Sequence, residues 1–414
     1  MKEYVLKIAK NETILINIRN SKEIFVFNGV AKIMIDNFEK NKDQIIELIL
    51  KKYGDVSKEK VLKDYLNFVN QLNTLNFNKN NVENIIKVNS KSKILSASIE
   101  ITSACSFKCD HCYVLKENTY MDFDTYKKII NELVELGCND LLLTGGEPML
   151  HKNFIEIYLY AKKMGLIVNI NTNLSLMNDH ILETFKLYKP GIIEISVYGY
   201  DDNSYEEFTH FSKGFQIVDE NINKLLKSNI NISLKTVLTK KSKNYIAKIK
   251  NYAIGLNVPF RYDYIIFPKL DSTLPNPERC SPKEIIDVLK NDIDAVYLYK
   301  NRINNMKKIK INNYIFQCEI GKNRIFISAN LDIRPCLVVP IKQNYNDVNI
   351  NEAFDKFAAE ITNYKFQKDS KCKKCIKKSV CRYCPGRFYM ESGSFEIVPN
   401  FYCDLADKII KEFK

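Results

Sequence analysis

The stretch Ser103-Ala-Cys105-Ser-Phe-Lys-Cys109-Asp-His-Cys112-Tyr113 contains three cysteines separated by three and then two residues. Thiolates at such short intervals can wrap one metal centre within a single loop. A four-iron cluster takes four cysteine ligands when every iron is held by protein, so three local cysteines predict an iron-sulfur cluster with one iron open to a small molecule. Two alternatives remain from the spacing alone: a zinc site, although zinc favours four ligands in compact pairs, and a group of buried thiols.

A second motif follows about 35 residues later, a separation close to the length of one βα unit. Asn139-Asp-Leu-Leu-Leu-Thr144-Gly145-Gly146-Glu147-Pro148 is a short apolar strand that runs into two glycines. Glycine lets a backbone adopt positive φ or approach a ligand closely. The pair therefore predicts a ligand-contacting turn at the carboxyl end of a strand.

Together, the cysteine triplet and the Gly-Gly turn resemble the motifs of radical S-adenosylmethionine (SAM) enzymes. In that family SAM chelates the unique iron of a 4Fe-4S cluster, and its cleavage yields a radical that abstracts hydrogen from a substrate. The resemblance implies that Cys105, Cys109 and Cys112 are the cluster ligands. It also implies that a further set of residues contacts SAM: His111, Gly145, Gly146, Glu147, Pro148, Thr172, Asn173, Ser196 and Lys235. The alternatives for these residues are strand-end capping or a position on the surface.

The composition narrows the possible partners and compartments. The chain has 414 residues and a formal net charge of +13. Its lysines are spread along predicted helices without a nucleic-acid motif, so we expect no nucleic-acid partner, whereas an acidic peptide is compatible with the charge. A membrane-spanning apolar run and a signal peptide are both lacking, so a cytoplasmic location is expected. There, twelve cysteines indicate metals or catalysis rather than disulfides.

From Ile94 onwards, apolar strands alternate with amphipathic helices, which predicts a parallel sheet of the α/β class. With right-handed crossovers the sheet would curl into a partial barrel, like the (β/α)6 core of radical SAM enzymes, across residues 87–305. Ligands in such barrels lie at the carboxyl ends of the strands, where both motifs fall. The predicted strands cover 96–102, 141–143, 166–171, 192–197, 230–238 and 260–267.

Residues 1–86 are predicted to form a separate α+β domain of three strands followed by helices, with a polar linker at 78–84. This pattern resembles the PqqD-like, winged-helix module that recognises the leaders of ribosomally made peptides. An exposed edge strand at 23–27 would accept an extended peptide by β-augmentation. The alternative is a helical cap that binds no partner.

Seven of the twelve cysteines fall between Cys318 and Cys403. A zinc ribbon is the rival interpretation, but its Cys pairs are usually about 12 or more residues apart, whereas five residues separate the two pairs here. Residues 306–414 instead resemble a SPASM domain with two auxiliary 4Fe-4S clusters. Two departures from that family's pattern are Leu331, where glycine is frequent, and a Cys381–Cys384 spacing of two intervening residues instead of three. The resemblance assigns Cys318, Cys336 and Cys384 to the first auxiliary cluster, and Cys372, Cys375, Cys381 and Cys403 to the second.

The resemblance spans essentially the whole chain and implies three 4Fe-4S clusters, SAM, a precursor peptide and a low-potential donor such as flavodoxin or ferredoxin. A thioether crosslink in the peptide is the expected product. Alternatives are carbon-carbon crosslinking, a dehydrogenase like the sulfatase maturases, and a non-catalytic metal-binding scaffold. No general base can be assigned from the sequence.

Overall fold

The computed structural model describes residues 2–88, 93–114, 117–269, 277–308, 312–367 and 370–414. A small sheet and three helices form the N-terminal part, with a hydrophobic core of their own that includes Leu6, Leu15 and Ile49. The elements are β1 (Tyr4–Ile8), β2 (Glu12–Asn17), β3 (Ile24–Asn28), α1 (Gly29–Asp36), α2 (Lys42–Lys52), α3 (Lys58–Thr74) and β4 (Val82–Lys87).

The strand order of the N-terminal sheet is β3-β2-β1-β4. The predicted edge strand is confirmed, because β3 pairs with β2 alone. The predicted linker at 78–84 is wrong: a short 3-10 turn, Lys79–Asn81, leads into β4, which pairs in parallel with β1. A capping box at Asn41 and Gln44 starts α2, as its sequence predicts.

The central part alternates strands and helices from β5 to β10, and its six strands are parallel neighbours in the order β10-β9-β8-β7-β6-β5. This is the predicted sheet; α7 is an additional helix. The elements are β5 (Ser96–Thr102), α4 (Phe123–Glu135), β6 (Asp140–Gly145), α5 (Phe154–Lys163), β7 (Ile167–Thr172), α6 (Asp179–Leu187), β8 (Ile193–Ser196), α7 (Asp202–Thr209), α8 (Gly214–Lys227), β9 (Ile232–Val237), α9 (Ile246–Gly255) and β10 (Phe260–Asp263).

The C-terminal part continues the same sheet, because β11 pairs in parallel with β5 on the side away from β6. Two short antiparallel strands follow β11 at that edge. No helix in the described ranges is long and apolar enough to cross a bilayer. The elements are α10 (Pro282–Leu289), α11 (Ile293–Asn304), β11 (Arg324–Ile327), β12 (Asp332–Arg334), β13 (Gln343–Asn344), α12 (Ile350–Asn363), α13 (Pro385–Ser392) and α14 (Asn400–Phe413).

Two buried lysines attach the N-terminal sheet to the barrel. Lys7 of β1 donates to the Cys138 carbonyl at 2.8 Å, and Lys162 of α5 donates to the Ser21 hydroxyl at 2.6 Å. Burial lowers the pKa of Lys7 to about 8 and that of Lys162 to about 7. Because such ammonium groups are costly to bury unless they are hydrogen-bonded, these contacts favour one fixed arrangement of the two parts.

Candidate functional site

The cysteine loop and the Gly-Gly turn leave the adjacent strands β5 and β6 at their carboxyl ends. Two backbone hydrogen bonds join them: the Gly146 amide donates to the Thr102 carbonyl, and the Glu147 amide donates to the Ala104 carbonyl, each at 2.8 Å. The turn is therefore held against the segment that carries the first cysteine, Cys105.

The turn lies so close to the backbone of residues 102–104 that glycine is required at both of its positions. A Cβ added to Gly145, whose φ is +155°, would lie 2.3 Å from the Thr102 carbonyl oxygen. A Cβ at Gly146 would lie 2.2 Å from the Ala104 carbonyl oxygen. Both atoms that would be met belong to the backbone, so the clash cannot be relieved by turning a side chain.

Glu147 fastens the same turn to the next strand. Its fully buried carboxylate accepts hydrogen bonds from the Thr172 hydroxyl and the Asn173 amide, each at 2.7 Å. Burial raises the pKa of Glu147 to about 7, although these hydrogen bonds oppose the rise. The carboxylate thus positions the end of β7.

A cavity of about 340 Å³, here called the first cavity, opens at these strand ends. All three cysteines of the loop line it. Of the predicted SAM contacts, Glu147 and Pro148 do not line it, and their part in binding SAM stays a prediction. The predicted contacts that do line it are His111, Gly145, Gly146, Thr172, Asn173, Ser196 and Lys235.

Aromatic rings surround the loop on the β8 side. The His111 ring lies 5.1 Å from that of Tyr198 and 4.9 Å from that of Phe208, centroid to centroid, and the latter two rings are stacked. Such flat apolar faces suit a nucleobase. Tyr198 lines the first cavity and was not predicted; its place two residues beyond Ser196, just after a barrel strand, was the available signal.

Three charges inside the barrel form one network. Glu194 accepts hydrogen bonds from Lys235 at 2.9 Å and from Arg261 at 2.6 and 2.8 Å. Burial opposes ionisation of Glu194, yet the two cations outweigh it and lower the pKa of the carboxyl to about 2. Lys235 therefore faces the first cavity with its charge already paired, and neither partner was predicted from the sequence.

A second cavity of about 380 Å³ lies beside the first and is lined by Cys318 and Cys336. It extends along the β5 and β11 side of the barrel, where Glu100 and Arg324 also line it. The two cavities adjoin each other, and five residues line both: Tyr113, Val114, Thr144, Gly145 and Asn171.

The C-terminal cysteines fall into two groups by their mutual electrostatic influence. Burial raises the pKa of Cys336, and the thiols of Cys384 and Cys318 add to the rise. Burial likewise raises the pKa of Cys381 to about 12, with further contributions from the other members of the second group. These members are Cys375, Cys372 and Cys403.

The two departures from the SPASM pattern both coincide with left-handed backbone. Leu331, in the turn between β11 and β12, has a φ of +66°, a conformation that glycine adopts without steric cost. Arg382, inside the short Cys381–Cys384 interval, has a φ of +51°, and its guanidinium donates to Asp263 at 3.0 Å. The unusual residues thus occur where the chain must turn sharply between ligand candidates.

The donor sets fit iron-sulfur clusters. All twelve cysteines lie within the described ranges, and none forms a disulfide. In the part of the chain that the structure describes, no three His, Cys, Asp or Glu side chains converge as ligands of a single ion. Cluster cysteines bind different irons, so three thiols around the first cavity and groups of three and four beyond it suit such cofactors.

Comparison with known proteins agrees with this geometry. Residues 99–253 match the model of the Radical SAM superfamily. The AdoMet-dependent heme synthase of Methanosarcina barkeri is 24% identical over 72% of this chain and 92% of its own length. The subtilosin biosynthesis protein AlbA of Bacillus subtilis is 25% identical over 59% of this chain, which spans only 55% of that relative.

A solved structure extends the likeness to both ends of the chain. Streptococcus suis SuiB, bound to its precursor peptide SuiA, matches with a TM-score of 0.61 and 16% identity, covering 97% of this chain and 99% of SuiB. At this identity the likeness concerns the fold. It confirms the predicted partial barrel with its N-terminal α+β sheet and C-terminal extension.

Proposed function

We propose that this chain, whose residues 99–253 match the model of the Radical SAM superfamily, is a radical SAM enzyme that modifies a ribosomally made precursor peptide. When bound, a three-thiolate 4Fe-4S cluster and SAM supply reductive cleavage of SAM and abstraction of a hydrogen atom from a substrate. The observation that carries the proposal is that the first cavity, lined by the cysteine loop, adjoins the second cavity, lined by Cys318 and Cys336. A peptide lying across the two cavities would face both sets of cysteines.

The residues of the first cavity would bind and orient SAM. Cys105, Cys109 and Cys112 would hold the cluster, with the Gly145–Gly146 backbone beside it. The His111 and Tyr198 rings would pack on adenine and exclude water, with Phe208 stacked on Tyr198. The ribose and carboxylate would contact Thr172, Asn173 and Ser196, with Lys235 held in place by Glu194.

The auxiliary groups would hold two further clusters. Cys318, Cys336 and Cys384 would provide three thiolates for the first, one fewer than a fully protein-ligated cluster takes, and Cys318 and Cys336 line the second cavity. Cys372, Cys375, Cys381 and Cys403 provide four for the second. An open position next to a bound peptide favours a thioether between a peptide cysteine and a carbon of the same peptide.

Co-expression with a short peptide encoded beside this gene, followed by mass spectrometry, tests the proposal. We expect the peptide to lose two hydrogens per crosslink and its crosslinked cysteine to resist alkylation. Loss of two hydrogens with an alkylatable cysteine would indicate the carbon-carbon alternative. An unchanged peptide mass under anaerobic reducing conditions, with SAM uncleaved, would remove the enzymatic proposal.

The leader would bind at the exposed edge of β3. Ile24 and Val26 lie on the same face of β3, and the two residues are 37% and 57% exposed. Backbone groups of such an edge can pair with an extended peptide, while the apolar side chains provide pockets. The charge of this chain, +13, favours an acidic leader.

Val26→Asp is expected to weaken precursor binding by about tenfold or more, which corresponds to about 1.4 kcal/mol. The new carboxylate would repel an acidic leader strand, and removing its hydration shell on binding would cost free energy. The affinity can be measured by fluorescence anisotropy of a labelled leader. SAM cleavage without peptide should stay at the wild-type rate.

The matched control is Ile85→Asp on β4, at the opposite edge of the same sheet, where Ile85 is 48% exposed. This variant should bind the leader normally. Equal weakening by the two variants would reject β3 as the recognition edge.

A further inference from the structure

Glu100 is a carboxylate inside the barrel that the assignments above leave without a role. It lies on β5 between the buried side chains of Ile99 and Ile101, so the alternation of the strand turns it to the opposite face. That face lines the second cavity, where Glu100 shares the wall with Cys318 and Cys336.

The surroundings of Glu100 leave its carboxylate largely available to a ligand. Among the residues that the structure describes, the one hydrogen bond to this carboxylate comes from the Ala329 amide, which donates to Oε1 at 3.3 Å. Burial raises the pKa of Glu100, the Ala329 amide and Arg334 oppose the rise, and Glu117 adds to it. A carboxylate with a raised pKa is a stronger base than one in water.

The other titratable side chains that line the second cavity are less suited to accept a proton. Glu319 is paired with Lys322 at 3.2 Å and adjoins Cys318, and the Arg324 guanidinium offers hydrogen-bond donors but no acceptor. Burial raises the pKa of the Tyr113 phenol, so it is neutral and already carries its proton. The remaining two, Cys318 and Cys336, would be occupied as cluster ligands.

We propose that Glu100 accepts the proton of the peptide cysteine that enters the second cavity. This step rests on the proposed function. The S–H bond of the peptide breaks, an O–H bond forms on the Glu100 carboxylate, and the electron pair stays on sulfur as a thiolate. The thiolate then lies beside Cys318 and Cys336.

Glu100→Gln tests the step because it keeps an acceptor for the Ala329 amide and removes the base. Crosslinked peptide should form about 100-fold more slowly, the usual scale of losing a general base. Iron content and 5′-deoxyadenosine formation should stay at wild-type levels. A wild-type rate of crosslinking in this variant would overturn the proposal, whereas absent SAM cleavage in the wild type would instead reject the proposed function.

Glu132→Gln is the matched control. Glu132 is also half-buried, burial raises its pKa, and it accepts a backbone amide, that of Asn351 at 3.2 Å. It lines neither cavity. The rate of crosslinking should be unaffected. If Glu132→Gln slowed crosslinking as much as Glu100→Gln does, the effect would come from removing any buried carboxylate, and the role of Glu100 would be overturned.

A binding measurement without turnover provides an independent readout. Infrared difference spectra of the cluster-loaded enzyme with precursor, but without SAM, should show loss of the peptide S–H band in wild type and its retention in Glu100→Gln. Loss of the band in both proteins would overturn the proposal.

Glu100→Asp covers the case in which the Gln variant fails to fold. It should restore part of the crosslinking, with an acidic limb in the pH profile as in wild type, because the protonated carboxyl cannot accept a proton. Glu100→Gln should lack that limb, and an unchanged limb in it would reject the assignment. The other ionisable groups that face the site, present in all three proteins, are Tyr113, Glu117, Glu319, Arg324 and Arg334.

Discussion

Replacing Cys105, Cys109 and Cys112 together with alanine is expected to abolish SAM cleavage while about eight irons per chain remain, because each four-iron cluster has its own set of thiolates. The three thiols line the first cavity, and the other seven ligand candidates form separate groups on the C-terminal side. Loss of one cluster should therefore leave the others loaded. Iron analysis after anaerobic reconstitution and chromatographic detection of 5′-deoxyadenosine measure the two results.

The control is the double variant Cys138→Ala and Cys280→Ala. Both thiols are buried, and burial raises the pKa of each to about 12, so neither is suited to ligation. This variant should keep about twelve irons, the content of three four-iron clusters, and should cleave SAM. Retained cleavage in the triple variant would contradict the assignment of the cysteine loop, and zinc in place of iron would support a scaffold.

The barrel is predictable from the sequence because each of its strands is a local apolar run followed by an amphipathic helix. Strand β5 has the predicted limits, 96–102, and the other strands differ by a few residues. By contrast, the polar sequence at 78–84 predicts a linker, although its last three residues form the first half of β4. Its Val82 and Ile85 lie among asparagines, and it becomes a strand through parallel pairing with β1, which lies more than seventy positions away in sequence.

The motifs of the site are predictable for the same reason: the cysteines and the glycines are close in sequence. The positions of the charged residues in the barrel interior are harder to predict from the sequence. Glu100 and Glu194 each lie between two isoleucines in a strand, a pattern that would ordinarily indicate a solvent-exposed face. In a sheet that curves into a partial barrel, the same alternation can point to the concave face, so the curvature decides whether these side chains face bulk solvent or the barrel interior.

Gly146→Ala is expected to slow SAM cleavage by about 100-fold, the scale of a displacement of about 1 Å in a reactive site. The new Cβ would lie 2.2 Å from the Ala104 carbonyl oxygen, so the turn and the cysteine loop must move apart. That movement weakens the hydrogen bond between the Glu147 amide and the same carbonyl. The free energy of unfolding should fall by about 1–3 kcal/mol, as for other overpacked sites.

Gly255→Ala separates the effect of the turn from that of any lost glycine. Gly255 ends α9, and a Cβ there meets no atom within 4 Å, so the variant should be as stable as wild type or up to about 1 kcal/mol more stable. For both variants, calorimetry measures the affinity for SAM and thermal unfolding measures the stability. If Gly146→Ala is destabilised but cleaves SAM at the wild-type rate, the turn supports the fold without positioning SAM. Reduced cleavage with an unchanged iron content would place the defect in SAM binding, since the three cysteine ligands are intact.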